Sequence, residues 1–282
     1  MSSPEPAILA ALLSYRAHIG NRNHLAFSAI IPQIQAAGPG DPDLFESDEE
    51  LEAARLEFTL QLVGEGRDTR PSITRPSDVL THWEDLAPQL TLDGASVYYD
   101  ASWRDWMRDV YIRGVLRGLN ERCSGHVTTW EFPSDLTVVL QYVDSLEGPG
   151  WHKYREEHES VVFLEGWVND RGLGDLTEEI AAGRVRTASE IINQTVGLGE
   201  EYEIAGGWAC GEKGNEATCY AVYSRPQHEG EKRGWSWRYV TCLGQFGTHV
   251  FQHVIELLEW YKSYGEPREE DWGVTADEVF QA

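Results

Sequence analysis

The sequence has few positive charges and no long apolar run. In 282 residues, 23 lysines and arginines stand against 47 aspartates and glutamates, which gives a formal net charge of −24. Such a chain repels phosphates, so the charge argues against a non-specific nucleic-acid binder or a protein held on anionic lipid. No apolar run reaches the roughly 18 residues that a membrane span needs. We therefore expect no nucleic-acid or membrane partner.

Cysteine is also scarce. Cys123, Cys210, Cys219 and Cys242 lie far apart, and no two of them form a C-x-x-C pair. The N-terminus lacks the basic region of a secretory signal, because Glu5 stands where that region would be. We expect four reduced thiols in a cytoplasmic protein, with two disulfides as the alternative.

The familiar catalytic motifs are missing as well. The sequence contains no G-x-S-x-G elbow and no Gly-Lys-Ser/Thr phosphate loop, and the glycines of residues 206–211 follow no βαβ pattern. The acidic run that begins at Asp41 fails as a calcium loop, since Phe45 and Glu46 occupy its fifth and sixth positions. No catalytic residue is predicted, and the sequence favours a protein that is not an enzyme.

The apolar content indicates a folded chain that begins with helices. Hydrophobic residues make up 41% of it, which is ordinary for a globular protein. Apolar residues recur at helical spacing through the first hundred positions, interrupted by a predicted turn at Gly20-Asn21. Ser47 and Glu50 have the spacing of a capping box. A polar stretch over residues 66–76 is the predicted linker, so we expect a helical N-terminal extension over residues 1–75.

Residues 76–282 change character after Gly125. Alternating and β-branched stretches predict strands over residues 161–168, 202–209, 217–223 and 235–243, and a strand or an extended entry over residues 127–132. Helical spacing predicts helices that begin after Asp100, at Pro133, near Leu176 and after Thr248. Helices around an antiparallel-type sheet predict an α+β fold.

One helical spacing resembles a metal site. His249 and His253 are four residues apart and would share a helix face, and Glu256 could complete a set of three ligands. The zincin motif, however, needs glutamate where Val250 stands. A solvated or capping histidine pair is the alternative. Three strand cysteines, at positions 210, 219 and 242, could also converge on a metal, but their spacing is typical of packed thiols.

Tryptophan is the most informative residue type. The sequence has eleven tryptophans, and Trp235 and Trp237 fall on one face of a predicted strand. Together with Arg238 and Trp208 they form a candidate binding surface, or else they pack in the core. A pocket for a small molecule, lined by these aromatic residues, is a further alternative.

The second half resembles the SUKH superfamily, which includes a yeast regulator of cell-wall glucan synthesis and bacterial immunity proteins. Three stretches carry the resemblance within residues 95–265: residues 132–148, with Pro133 and Asp135 at the start of a helix; the strand pair 208–222; and residues 243–261, similar to the family's closing helix. The sequence departs from the family at Ser145–Glu147 and at Gly244-Gln245.

The resemblance implies an α+β module that binds protein partners and has no shared catalytic residues. We therefore expect a non-enzymatic regulatory module without a cofactor. Charge indicates a basic partner, since residues 41–57 hold eight acids and one arginine and residues 266–278 hold six acids and one arginine. The alternatives are a metal-dependent enzyme that uses His249, His253 and Glu256, and a small-molecule binding protein.

Overall fold

The computed structural model describes residues 5–39, 44–63, 73–97, 101–123, 125, 127–147, 162–164, 177–213, 217–227, 234–242, 247–263 and 272–280. The fold is α+β, as predicted. The helices are α1 (Glu5–Ala36), α2 (Asp48–Val63), α3 (Asp78–Thr81), α4 (Trp83–Gln89), α5 (Ala101–Arg122), α6 (Ser134–Tyr142), α7 (Glu178–Gly183), α8 (Ala188–Gln194), α9 (Leu198–Glu201), α10 (Val254–Ser263) and α11 (Ala276–Phe280). The strands are β1 (Ala95–Ser96), β2 (Ser145–Glu147), β3 (Val162–Leu164), β4 (Val185–Arg186), β5 (Tyr202–Lys213), β6 (Ala217–Pro226), β7 (Ser236–Cys242) and β8 (Thr248–Phe251).

These elements form two compact units. The sheet unit takes the described residues within 1–14, 96–148 and 160–261, and the helical unit takes those within 15–95 and 262–282. Each unit is therefore assembled from segments that are not continuous in the sequence, whereas the sequence suggested a single division between residues 75 and 76. That boundary stays a prediction, and most of the linker predicted for residues 66–76 lies outside the described residues.

An antiparallel sheet in the order β4-β5-β6-β7-β8 forms the centre of the sheet unit. The predicted strands at 202–209 and 217–223 are confirmed as the long hairpin of β5 and β6, in which Trp208 lies opposite Ala221. Strand β7 follows in register, with Tyr223 opposite Trp237. One sheet face carries an apolar cluster around Ile191, Tyr220, Val222 and Val240. The opposite face carries Trp208, Tyr239 and Trp237, because side chains alternate along a strand.

The segment before α10 differs from its prediction. Residues 248–251 pair with β7 as strand β8, with Val250 opposite Val240 and His249 opposite Thr241. The helix begins only at Val254. Threonine, valine and phenylalanine suit a strand, and the free edge of β7 supplies the hydrogen-bonding partner that helical spacing does not reveal. Residues 127–132, predicted as a strand or an extended entry, form no strand.

Packed helices form the helical unit. Its core gathers residues from α1, α2, α4 and α11, among them Phe27, Phe58, Leu62 and Leu86. The predicted turn at Gly20-Asn21 is wrong, because α1 continues from Glu5 to Ala36. Tertiary contacts explain this, because side chains on both sides of Gly20 bond to residues 92–93: Arg16 Nε donates to the Asp93 carboxylate at 2.8 Å, and Asn23 Nδ2 donates to the Leu92 carbonyl at 2.6 Å.

The start of α2 follows its prediction. Ser47 Oγ accepts a hydrogen bond from the Glu50 backbone N–H at 3.3 Å, and the Glu50 carboxylate accepts one from the Glu46 N–H at 2.8 Å. Acidic residues here also suit the positive end of the helix dipole. Within the described part of the chain, no helix is long and apolar enough to span a bilayer.

Candidate functional site

The tryptophan cluster lies on the sheet face opposite Val222 and Val240. We define it as Trp130, Trp208, Trp235, Trp237 and Tyr223. Ring centroids are 5.1 Å apart between Trp208 and Trp237, 5.1 Å between Tyr223 and Trp237, and 5.8 Å between Tyr223 and Trp235. Trp130 joins from the segment before α6, 5.9 Å from Trp237. These contacts make one continuous aromatic array.

The inner end of the array is buried. Trp208 is 0% exposed, and its indole N–H donates to the Tyr111 hydroxyl at 2.8 Å. Its ring centroid lies 5.1 Å from that of Phe132. The polar edge of the ring is therefore satisfied inside the sheet unit, as a buried indole requires. Of the predicted binding residues, Trp208 is thus a core residue whose role is to support its neighbours.

Close packing around Trp208 depends on glycine in β5. A Cβ added at Gly206 would lie 2.5 Å from Cys123 Sγ, and one at Gly207 would lie 2.3 Å from the Ala221 carbonyl oxygen. Both distances are too short for real contacts, so neither position has room for a side chain. Gly206 and Gly207 therefore let Cys123 and the backbone of β6 approach β5 closely. This role differs from that of a phosphate-binding loop.

The outer end of the array is only half-buried. Trp235 and Tyr223 both keep part of their surface in solvent, and their rings stack with an interplanar angle of 15°. The Arg225 guanidinium carbon lies 5.0 Å from the centre of the Trp235 ring. Arg225 is in turn fixed by Glu203, with Nε donating to the carboxylate at 2.6 Å. We call Tyr223, Trp235, Arg225 and Glu203 the aromatic rim.

Trp237 connects the rim to the helices. Its indole N–H donates to the Glu131 carbonyl oxygen at 2.9 Å. The ring is thereby held in one orientation, half-buried beside the exposed end. The predicted pair Trp235 and Trp237 does lie within one aromatic array, and both rings contact Tyr223.

Arg238 lies on the other side of the sheet. It is 1% exposed, and Nη1 donates to the Ser224 carbonyl and, at 3.2 Å, to the Ser224 hydroxyl. Its guanidinium carbon also lies 5.0 Å from the centre of the Tyr202 ring. These contacts place the guanidinium inside the sheet unit and away from the aromatic rim. The cation near Trp235 is instead Arg225, two residues after Tyr223 on the neighbouring strand.

Asp135 holds three elements together. Its Oδ1 accepts hydrogen bonds from the Tyr239 hydroxyl at 2.7 Å and from the Leu136 N–H at 2.9 Å, and its Oδ2 accepts the Val254 N–H at 3.0 Å. Burial, followed by this carboxylate, raises the pKa of the Tyr239 hydroxyl well above its usual value. The contact joins α6, β7 and the start of α10, a role that the sequence did not reveal.

His249 and His253 do not lie on one helix, contrary to the prediction. His249 belongs to β8 and His253 precedes α10, and both are exposed. The Glu256 carboxylate accepts the Gln252 N–H at 2.7 Å. Across the part of the chain that the structure describes, no three His, Cys, Asp or Glu side chains are placed to hold a metal ion. The metal hypothesis has therefore lost the shared helix face on which it depended.

All four cysteines are free thiols. Cys210 and Cys219 meet across the β5–β6 hairpin, where the Cys210 thiol donates to the Cys219 carbonyl at 3.3 Å. Burial raises the pKa of the Cys219 thiol well above its usual value, so this thiol is held protonated. The Cys242 thiol instead donates to the Gln194 carbonyl at 2.8 Å. These contacts are those of packed, hydrogen-bonded thiols.

Sequence reasoning missed three rim residues, Tyr223, Arg225 and Glu203. The available signal was the spacing of Tyr223, the last residue of the predicted strand 217–223, and Arg225, because a strand that continues by two residues places both on one face. What the spacing could not show is the partner strand that brings Trp235 against them. No family model, no curated protein and no solved structure matches this chain.

Proposed function

We propose that this chain is a non-enzymatic protein-interaction module that binds a basic protein partner through the aromatic rim. The observation that carries the proposal is Trp235, which is half-exposed and stacked on Tyr223 beneath Arg225. Tryptophan, tyrosine and arginine are the residue types that dominate binding energy in protein interfaces. Because packing already orders these side chains, a partner pays little conformational entropy to bind them.

Charge supports a basic partner. The first turns of α2 expose Asp48, Glu49, Glu50 and Glu52, and the whole chain carries −24. Such a field speeds the encounter with a positively charged protein and weakens as salt is added. A regulatory role in the cytoplasm belongs to the same proposal, and the free thiols agree with a reducing compartment.

The SUKH resemblance also belongs to this proposal. It is supported by the order of the main elements: α5, an extended segment, α6, the antiparallel strands β4–β8, and then α10, with β2, β3 and α7 before β4 and the short helices α8 and α9 between β4 and β5. Asp135, from the first of the resembling stretches, holds α6 to β7 and α10. The third stretch departs from the expected closing helix, because residues 248–251 form a strand.

A capture experiment tests the proposal. The chain is immobilised, a partner is recovered at low salt from a lysate of the source organism, and the purified partner is titrated against variants. We expect Trp235→Ala to weaken binding by about 30-fold, which corresponds to a hot spot of about 2 kcal/mol. Added salt should also weaken binding of the wild type.

Trp106→Ala is the matched control. Trp106 lies on α5 and is 55% exposed, and it is not part of the aromatic rim. Its variant should bind within about twofold of the wild type. Equal losses for the two variants, or no partner at low salt, would contradict the proposal.

A further inference from the structure

Strand β8 is one of the two outer strands of the five-stranded sheet, and it is the longer of the two. In the order β4-β5-β6-β7-β8 it pairs with β7, and no described strand pairs with its other side. Alternate residues of an edge strand direct their backbone N–H and C=O groups away from the sheet. All four residues of β8 keep part of their surface in solvent, and His249 is exposed. Such an edge can accept an additional strand.

Three aromatic side chains lie together along this edge. The His249 ring centroid is 5.5 Å from that of Trp260, and the Phe251 ring centroid is 5.4 Å from that of Trp260. We call His249, Phe251 and Trp260 the edge trio. His249 and Phe251 are two residues apart and share one strand face. A strand added beside β8 would therefore place alternate side chains next to these rings.

A carboxylate lies at the end of the edge trio. Glu256 precedes Trp260 by four residues, so the two share a face of α10. It is exposed, and its Oε2 is positioned by the Gln252 N–H at 2.7 Å, directly after β8. A carboxylate oxygen accepts more than one hydrogen bond. Aromatic faces beside a negative charge favour a lysine or arginine side chain.

The net charge of the chain indicates which kind of segment could pair with the free edge of β8. A second copy would bring a further −24, and like charges oppose that pairing. A cationic segment is attracted by the same field. We propose that β8 binds an extended, lysine- or arginine-rich segment of the partner protein as an additional strand, with cationic side chains over the edge trio and toward Glu256. This inference rests on the proposed function and specifies how part of the partner is bound.

The test uses a capped heptapeptide of alternating lysine and valine, titrated into the full chain. We expect saturable binding, and at least tenfold slower hydrogen exchange of the backbone amides in residues 248–251 that face away from β7. The same peptide methylated on every backbone nitrogen cannot donate to β8 and should bind at least tenfold more weakly. Replacing its lysines by glutamates should abolish binding.

Substitutions in the chain test where the peptide binds. Trp260→Ala should weaken binding at least tenfold and Trp260→Phe less than threefold, since phenylalanine keeps a ring; an unchanged melting temperature checks that each variant folds. Trp235→Ala should bind the peptide within twofold of the wild type. Equal binding of the methylated peptide, unchanged exchange at saturation or no binding would overturn the strand-addition proposal. If the captured partner still depends on Trp235, the proposed function would survive that failure.

Discussion

The helical unit and the sheet unit of this chain place their polar groups differently. In the helical unit, the core around Phe27, Phe58 and Leu62 is apolar, and buried polar side chains bond backbone groups, as Asn23 does with the Leu92 carbonyl and Asp78 with the N–H groups of Thr74 and Arg75. In the sheet unit, polar groups are buried with the rings: the Trp208 indole bonds Tyr111, and Asp135 bonds Tyr239. The sheet unit is consequently the one whose aromatic surface is held in a defined geometry, as a recognition site requires.

The largest expected effect tests how much the sheet unit depends on its buried indole. Trp208→Ala should lower the free energy of unfolding by about 3–5 kcal/mol, because it leaves a cavity and removes the hydrogen bond from the indole to the Tyr111 hydroxyl. Denaturant unfolding measures the loss, and hydrogen exchange should show it in β5 and β6. Trp83→Ala, at a buried position of the helical unit, is the control and should act first on amides of α1 and α4. Loss of protection in the same amides for both variants would contradict the contrast between the units.

The Asp135 contact should produce the next effect. Asp135→Ala should cost about 2–3 kcal/mol of stability, because the buried Tyr239 hydroxyl and the Val254 N–H lose their acceptor. Tyr239→Phe removes one hydrogen bond and should cost about 1 kcal/mol. Thermal unfolding measures both. If Asp135→Ala and Tyr239→Phe cost the same, the bonds to Leu136 and Val254 contribute nothing.

A pH effect should appear in the helical unit. Burial opposes ionisation of Asp78, but hydrogen bonds from Thr74 and Arg75 outweigh it and lower its pKa from 3.8 to about 2. Because the folded pKa is below the unfolded one, this carboxylate stabilises the fold above about pH 4, and that contribution is lost as pH falls toward 2.

Asp78→Asn tests this window. We expect the variant to lose about 1 kcal/mol at pH 7 and to show a smaller decline than the wild type between pH 4 and pH 2. Urea unfolding at several pH values measures the difference. Parallel declines for the two proteins would show that Asp78 does not contribute.

The smallest effect concerns the aromatic rim itself. Trp235→Ala should change stability by less than about 1 kcal/mol, because Trp235 is only half-buried. The same substitution is expected to weaken partner binding by about 30-fold. A stability loss as large as that of Trp208→Ala would assign Trp235 to the core and remove it from the binding surface.

Much of the secondary structure could be predicted, for local reasons. The Ser47 and Glu50 spacing located the start of α2, and alternation along residues 202–223 located the β5–β6 hairpin. Predictions were wrong where long-range contacts decide the structure. Gly20 remains helical in α1 beside Asp93, and residues 248–251 form a strand because β7 offers an edge.

The candidate site was predictable only in part. Tryptophan content and the two-residue spacing drew attention to Trp235 and Trp237, which do share an aromatic array. The proposed companions Trp208 and Arg238 are buried instead. Tyr223, Arg225 and Glu203 complete the aromatic rim through cross-strand contacts, and such contacts depend on register, which one strand's sequence does not contain.

The sequence by itself determined the α+β class, the acidic surface and the supply of tryptophan, because composition and local periodicity are properties of the chain. Only the tertiary structure decided which tryptophans are buried in the core and which remain partly exposed at the surface. It also separated His249 from the helix expected to hold it and placed it beside Phe251 and Trp260. The physical reason is strand pairing: one ladder of backbone hydrogen bonds sets the neighbours of every side chain on the sheet.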